Sequence, residues 1–209
     1  MIIHTFGDSH ASSIHGGWSN EKMNLPIQIV SNHLGPKLMY SFGRDKNYLF
    51  SPKTVAEGDA VVFCFGEIDC RCHVGKYAPN WKQVVEKLVE NYFEAIKINV
   101  TQYKKLTVMV YNVIPQIERE SPKNAWMIPY QKNTPHIGSD SERSEYTRYM
   151  NSKLALKCEE HGYIFIDVYD KYCDENGFLK DDLSDKNCHI SNQKYISEFI
   201  ISNLWKKEG

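Results

Sequence analysis

Ile2-Ile3-His4-Thr5-Phe6-Gly7-Asp8-Ser9-His10 is the stretch on which the reading of the whole chain turns. Ile2 to Phe6 is a β-branched and aromatic run, the pattern of a buried strand. Gly7 ends it, and a glycine there permits a sharp exit because it tolerates backbone angles that a Cβ forbids. Ser9 then falls at the carboxyl end of the first strand, the edge at which open α/β sheets bind ligands. A serine so placed is a candidate nucleophile, and it needs a base.

The strand signal recurs down the chain. Ile27-Gln28-Ile29-Val30 predicts a second strand, followed by a turn at His33-Leu34-Gly35-Pro36. Ala60-Val61-Val62-Phe63-Cys64-Phe65 is apolar without alternation, as expected of a central strand covered on both faces. Leu106 to Val113 and Tyr163 to Val168 predict two more strands. Between them, Val85, Leu88, Val89, Tyr92, Ile96 and Tyr103 recur at helical spacing from Pro79 to about Lys104. Ser139 to Glu160 predicts a second helix, capped by Ser139 or Asp140 and stopped by Gly162. A last helix is expected from about Ser191 to Trp205, and a short one just behind Ser9. Strands alternating with helices predict an α/β fold, a three-layer sandwich around a parallel sheet. With no internal repeat or linker, residues 1–209 are expected to form a single domain.

Composition narrows the function. The 209 residues carry a formal net charge of −1 and are 42% hydrophobic, which suits one globular core. Near-neutral charge without a basic run argues against nucleic acid or an anionic membrane as the main partner. No apolar stretch approaches the ~20 residues of a membrane span, and no secretory leader precedes the first strand. The expected location is the cytoplasm. Six cysteines in such a chain are expected to be free thiols. Cys70, Cys72 and His73 raise a metal question that Cys188-His189 could complete if the fold brought it alongside, but no second cysteine pair supplies the usual ligand spacing. Neither a metal nor a cofactor is expected.

A serine hydroxyl becomes a nucleophile when a histidine, oriented by a carboxylate, takes its proton. Of eight histidines, His4 lies inside the first strand and His161 at a helix end, both structural positions. His10 adjoins Ser9 and so points elsewhere. His189 follows Asp185 and precedes the last helix, close to the sheet end that carries Ser9. His189 and Asp185 are therefore the candidates for base and orienting acid, against the plainer reading of an Asp-rich turn before a helix.

Gly7-Asp8-Ser9-His10, Gly66-Glu67-Ile68-Asp69 and Asp185…His189, in that order, resemble the sequence blocks of the SGNH (GDSL-type) hydrolase superfamily. The resemblance covers nearly the whole chain. It implies a flavodoxin-like sandwich and a serine-dependent esterase or acyltransferase acting on an O-acyl ester, with Ser9 as nucleophile, His189 as base and Asp185 orienting it. The substrate would be a small molecule or a carbohydrate ester. In that family the oxyanion is held by the serine N–H, a glycine N–H and an asparagine side chain. Gly43 matches the glycine by its distance from Ser9, with Gly35 the alternative. Two positions depart from the pattern. Ile68 stands where the family has asparagine, and Lys186 stands where it has the acid, so that Asp185 is one residue further from His189. Losing one oxyanion donor typically costs ~100- to 1000-fold in rate. Arg71 could replace it or grip substrate, unless it is held in an ion pair with Glu67 or Asp69.

The Gly66-Glu67-Ile68-Asp69-Cys70-Arg71 run is also similar to a subgroup of SGNH-like proteins found beside sugar-modifying enzymes, a resemblance that implies Ile68 is a trait of the subgroup and says little about substrate. Asp8, His10, Glu67 and Arg71 are the expected substrate contacts, with Trp126 and Tyr130 on a loop that could form a lid near His136. The alternative from another class is a ligand- or carbohydrate-binding module that keeps the scaffold without catalysis.

Overall fold

The computed structural model describes residues 1–15, 27–119 and 135–204. Strands β1 (Ile2–Gly7), β2 (Gln28–His33), β3 (Ala60–Cys64), β4 (Thr107–Tyr111) and β5 (Ile164–Ile166) form one sheet in the order β2-β1-β3-β4-β5. Every pair is parallel. The chain leaves β1 towards one edge and returns past it to β3, so the direction of winding reverses between β1 and β3. Ligand crevices in open α/β sheets form at such a reversal, outside the carboxyl ends of the strands. Ser9 lies two residues beyond the end of β1, at that crevice.

Among the described residues, seven helices accompany the sheet: α1 (His10–His15), α2 (Met39–Asp45), α3 (Glu67–Cys72), α4 (Trp81–Val100), α5 (Asp140–His161), α6 (Tyr169–Tyr172) and α7 (Lys194–Leu204). β3 explains how they are layered. Val61 and Phe63 pack with Phe42 of α2, Val89 and Tyr92 of α4, and Met150 of α5. Ala60, Val62 and Cys64 pack on the opposite face with Ile14 of α1 and Ile196 and Ile200 of α7. Both faces of the strand are thus covered, which is why its sequence shows no alternation. Burying a side chain such as Phe63 contributes about 2–3 kcal/mol. The central strand is therefore the anchor, and α3 follows from its carboxyl end. No helix among the described residues is long and apolar enough to cross a membrane.

Several boundaries have local causes. α5 begins as its sequence predicts: Ser139 Oγ accepts from Glu142 N–H at 3.2 Å, and the Glu142 carboxylate accepts from Ser139 N–H at 2.7 Å. Gly162, at φ 69°, ends it. α4 is shorter than its apolar pattern, stopping at Val100. α7 begins at Lys194, where Asn192 Oδ1 accepts the Lys194 N–H at 3.0 Å. His4 is structural, as expected: its Nε2 lies 3.3 Å from Asp59 Oδ2, and Asp59 Oδ1 accepts Ile2 N–H at 2.7 Å.

α2 corrects one expectation. Residues 39–45 have a short apolar run of ambiguous period, and Leu38 offers no side-chain cap. The cap comes from another helix: Asp69 of α3 accepts the N–H groups of Met39 at 2.8 Å and Tyr40 at 3.1 Å. Gly43 consequently sits inside a helix, and a mid-helix N–H is bonded to the carbonyl four residues back. A Cβ on Gly43 would stand 3.0 Å from the backbone of Asn91 and Tyr92. Gly43 thus lets α2 approach α4 and supplies no donor near Ser9.

Candidate active site

The turn from β1 into α1 holds Ser9 by backbone geometry. Asp8 N–H donates to Cys64 O at 3.3 Å, Ala11 N–H to Asp8 O at 3.1 Å and Ser12 N–H to Ser9 O at 3.1 Å. Gly7 is required here for a reason other than the expected one. Its φ is not positive, so backbone freedom is not the issue. A Cβ on Gly7 would stand 1.9 Å from the Cys64 carbonyl oxygen. The glycine is there for space, so that β1 and β3 can meet where Ser9 emerges.

His189 comes from a turn between the Leu183 region and α7. An antiparallel bridge between Ser184 and Ile190 closes the turn, and Asp185 N–H donates to His189 O at 2.9 Å. Lys186 takes a left-handed φ of 65°, which folds the extra residue away. Asp185 Oδ1 accepts the N–H groups of Asn187 at 2.8 Å and His189 at 3.1 Å. Its Oδ2 lies 2.7 Å from His189 Nδ1. His189 Nε2 lies 2.8 Å from Ser9 Oγ. Carboxylate, imidazole and hydroxyl therefore form one unbroken chain of hydrogen bonds, and the longer spacing between Asp185 and His189 does not separate them.

Electrostatics follow from this packing. Burial alone would lower the His189 pKa, but the Asp185 carboxylate and the Cys188 sulfur outweigh it and raise the value to about 9. Burial would raise the Asp185 pKa, and the hydrogen bonds from His189 and its backbone reverse that, holding the carboxyl below its ordinary value.

Other expected site residues lie behind this chain. Asp8 is 1% exposed, and its Oδ1 accepts the His10 N–H at 2.9 Å. His10 and Glu67 are each 4% exposed, and His10 Nε2 approaches Glu67 Oε2 at 3.5 Å. These three were expected to meet substrate; buried, they form a polar floor. Arg71 is held by Glu67 through Nε–Oε1 at 2.7 Å and Nη2–Oε2 at 3.0 Å. Two of its donors are thus occupied in an ion pair, the plainer of its two expected roles. Burial would raise the Glu67 pKa, but Arg71 and His10 outweigh it and hold the carboxyl well below the carboxylate range.

Gly35 is better placed than Gly43. β1 and β2 pair Gly7 with His33, so Ser9 and Gly35 are each two residues beyond the paired ends of adjacent strands. Gly35 has φ 73°, and nothing lies within 4 Å of where its Cβ would be. Ile68 sits half-buried in α3 and has no hydrogen-bond donor on its side chain. Trp126 and Tyr130 lie outside the described residues. The end of the same loop packs inward, with Ile137 N–H on Arg71 O at 2.9 Å. There His136 is buried, and that burial, with the Arg71 and Arg143 cations, lowers its pKa to about 4.

The cysteines divide differently from their sequence order. Cys70 is buried against Met150, Sγ to Sδ 3.7 Å, and His73 Nδ1 contacts Lys76 Nζ at 3.2 Å, so neither joins His189. Cys188, which the sequence offered only as a partner of His189 in completing a site with Cys70, Cys72 and His73, lies 3.8 Å from His189 Nε2. Its one signal in the sequence is that it precedes His189. Burial would raise the Cys188 thiol, but His10 and His189 bring it down to about 7.

Known structures share this architecture. A GDSL-like lipase from Bacteroides thetaiotaomicron superposes with a TM-score of 0.61 at 14% identity, over 98% of this chain and 88% of its own. The fold is that of the SGNH/GDSL hydrolases. A lipase from a goat rumen metagenome superposes at a TM-score of 0.60 and 12% identity, over 97% of both chains. A protein from Streptococcus pneumonia reaches a TM-score of 0.65 at 20% identity, over 97% of this chain and 83% of its own. No family model and no curated protein matches the sequence. Within the SGNH fold, the Ser9–His189–Asp185 chain lies at the winding reversal between β1 and β3.

Proposed function

We propose that the protein is a serine-dependent ester hydrolase acting on an O-acyl ester of a small molecule or carbohydrate through an acyl-enzyme. One observation carries the reading: Ser9 Oγ is 2.8 Å from His189 Nε2, and His189 Nδ1 is 2.7 Å from Asp185. Neutral His189 accepts the Ser9 proton as Oγ attacks the ester carbonyl, and Asp185 stabilises the imidazolium. His189 then returns the proton to the leaving alcohol as the carbonyl reforms. Water, deprotonated by His189, releases the acid and restores Ser9. If a second alcohol takes the place of water, the same acyl-enzyme gives acyl transfer.

Electrostatic support comes from the Ser9 and Gly35 N–H groups at the strand ends, in place of the Gly43 donor. Ile68 leaves the third donor position apolar, so the site acts with fewer oxyanion contacts than the full set. A non-catalytic binding module gives no reason for Asp185 to fix the imidazole that reaches Ser9.

The pH profile tests this reading. The base must be neutral, and the His189 pKa stands at about 9, so most of the resting protein carries imidazolium at neutral pH. Initial rates of p-nitrophenyl acetate hydrolysis, corrected for the uncatalysed reaction, should give kcat/KM rising roughly tenfold per pH unit through the neutral range. The rise should level off near 9. Absence of any hydrolysis above background, or a rate independent of pH across that range, contradicts the proposal.

A further inference from the structure

The polar floor beneath the triad contains a second convergence. His10 comes from the first turn of α1, while Cys188 and His189 come from the turn before α7, and the fold brings them together. One ligand-capable atom from each lies within 4.8 Å of the other two, the only such group of three among the described residues. Cys188 Sγ is 3.8 Å from His189 Nε2, and the two imidazole rings are 5.0 Å apart at 44°.

We infer that His10, Cys188 and His189 form a binding site for a thiophilic divalent cation, best suited to zinc, and that its occupation silences Ser9.

The chemistry of the donors supports the choice of metal. One sulfur and two imidazole nitrogens suit zinc, whereas magnesium and calcium require oxygen. Tetrahedral zinc, with Zn–N near ~2.0 Å and Zn–S near ~2.3 Å, sets its ligand atoms about 3.4–3.6 Å apart. Closing from the present spacing takes about 1 Å, within reach of small side-chain rotations. His10 is 4% exposed, yet neither ring nitrogen has a partner in good hydrogen-bond geometry, the Glu67 carboxylate standing 3.5 Å from Nε2. A buried imidazole in that condition is destabilising, and a metal bond would offset it. Behind His189, Asp185 already holds Nδ1 at 2.7 Å, so that Nε2 faces the cluster. Carboxylates hold zinc-binding histidines in the same manner.

The consequence for activity rests on the proposed role of His189. A metal on Nε2 occupies the lone pair that would take the Ser9 proton. Binding and hydrolysis therefore exclude each other, and zinc acts as a reversible inhibitor. The metal site itself does not depend on that role.

The experiment titrates the chelator-treated full chain with zinc in competition with a chromophoric chelator, alongside Ser9→Ala, Cys188→Ser and His10→Gln. Circular dichroism of each variant confirms that it is folded. One zinc per chain is expected in the wild type and in Ser9→Ala. Affinity should fall roughly 100-fold or more in Cys188→Ser and His10→Gln, since even the residues behind zinc ligands contribute 10–100-fold. Cobalt in place of zinc should show a thiolate-to-metal charge-transfer band that Cys188→Ser removes. No stoichiometric binding, or affinity unchanged in Cys188→Ser, overturns the site. Metal-free protein that hydrolyses esters and continues to do so with zinc bound overturns the inhibition. Stoichiometric, Cys188-dependent binding to a protein without esterase activity leaves the metal site standing and removes the proposed function.

Discussion

Ser9→Ala is expected to lower kcat/KM for a short-chain ester by roughly 10⁴- to 10⁶-fold, the range seen when the nucleophile of a Ser–His–Asp site is removed. The estimate follows from how the hydroxyl is held. Ser9 is placed by backbone hydrogen bonds of the β1–α1 turn, and its Oγ is aligned on His189 Nε2 at 2.8 Å. No water held in its place would gain the same attack distance and the same base. His189→Ala should cost about as much. Ser9→Ala with His189→Ala should cost little more than either alone, because groups that act as one unit are not additive. Steady-state kinetics on the three variants checks this. A His189→Ala enzyme within tenfold of wild type, or multiplicative losses in the double variant, would mean that the hydrogen-bond chain does not operate in catalysis.

Gly7→Ala should have the largest effect on folding. The new methyl would stand 1.9 Å from the Cys64 carbonyl oxygen and 2.7 Å from its carbon, both backbone atoms of the central strand. No side-chain rotation relieves that contact. β1 and β3 must separate where Gly7 pairs with Cys64, and the Asp8 N–H to Cys64 O bond is lost as they do. A loss of more than about 3 kcal/mol is expected, at the upper end of single-substitution effects. Gly35→Ala provides the contrast. There φ is 73° but the space is open, so only the left-handed backbone cost of about 1–2 kcal/mol applies. Urea denaturation of the two variants separates space from backbone angle. Equal losses at Gly7 and Gly35 would contradict the packing argument.

The elements legible in the sequence were those whose burial is simple. β3 is covered on both faces, and its unbroken apolar run says so. α5 carries its own capping box and terminal glycine, so its ends could be read to within a residue. α2 could not be read, because its N-terminal cap is Asp69, supplied by α3 from 30 residues downstream. Counting residues from Ser9 therefore pointed to Gly43, whereas the β1–β2 register points to Gly35. In the site, Ser9, His189 and Asp185 were legible as candidates from order alone. Whether an extra residue would break the Asp185–His189 contact depended on Lys186 turning left-handed, which no residue type announces. Asp8, His10 and Glu67 looked like substrate contacts because they flank the motif residues. Their burial depends on His10 at the start of α1 meeting Glu67 at the start of α3, a tertiary fact.

A Ser9 nucleophile activated by His189 should react covalently with a fluorophosphonate, and intact-mass spectrometry after incubation reads that reaction. One adduct per chain is expected, mapped by peptide analysis to Ser9 and strongly slowed in His189→Ala. No adduct, or an adduct at any other residue while Ser9 stays unmodified, would contradict it.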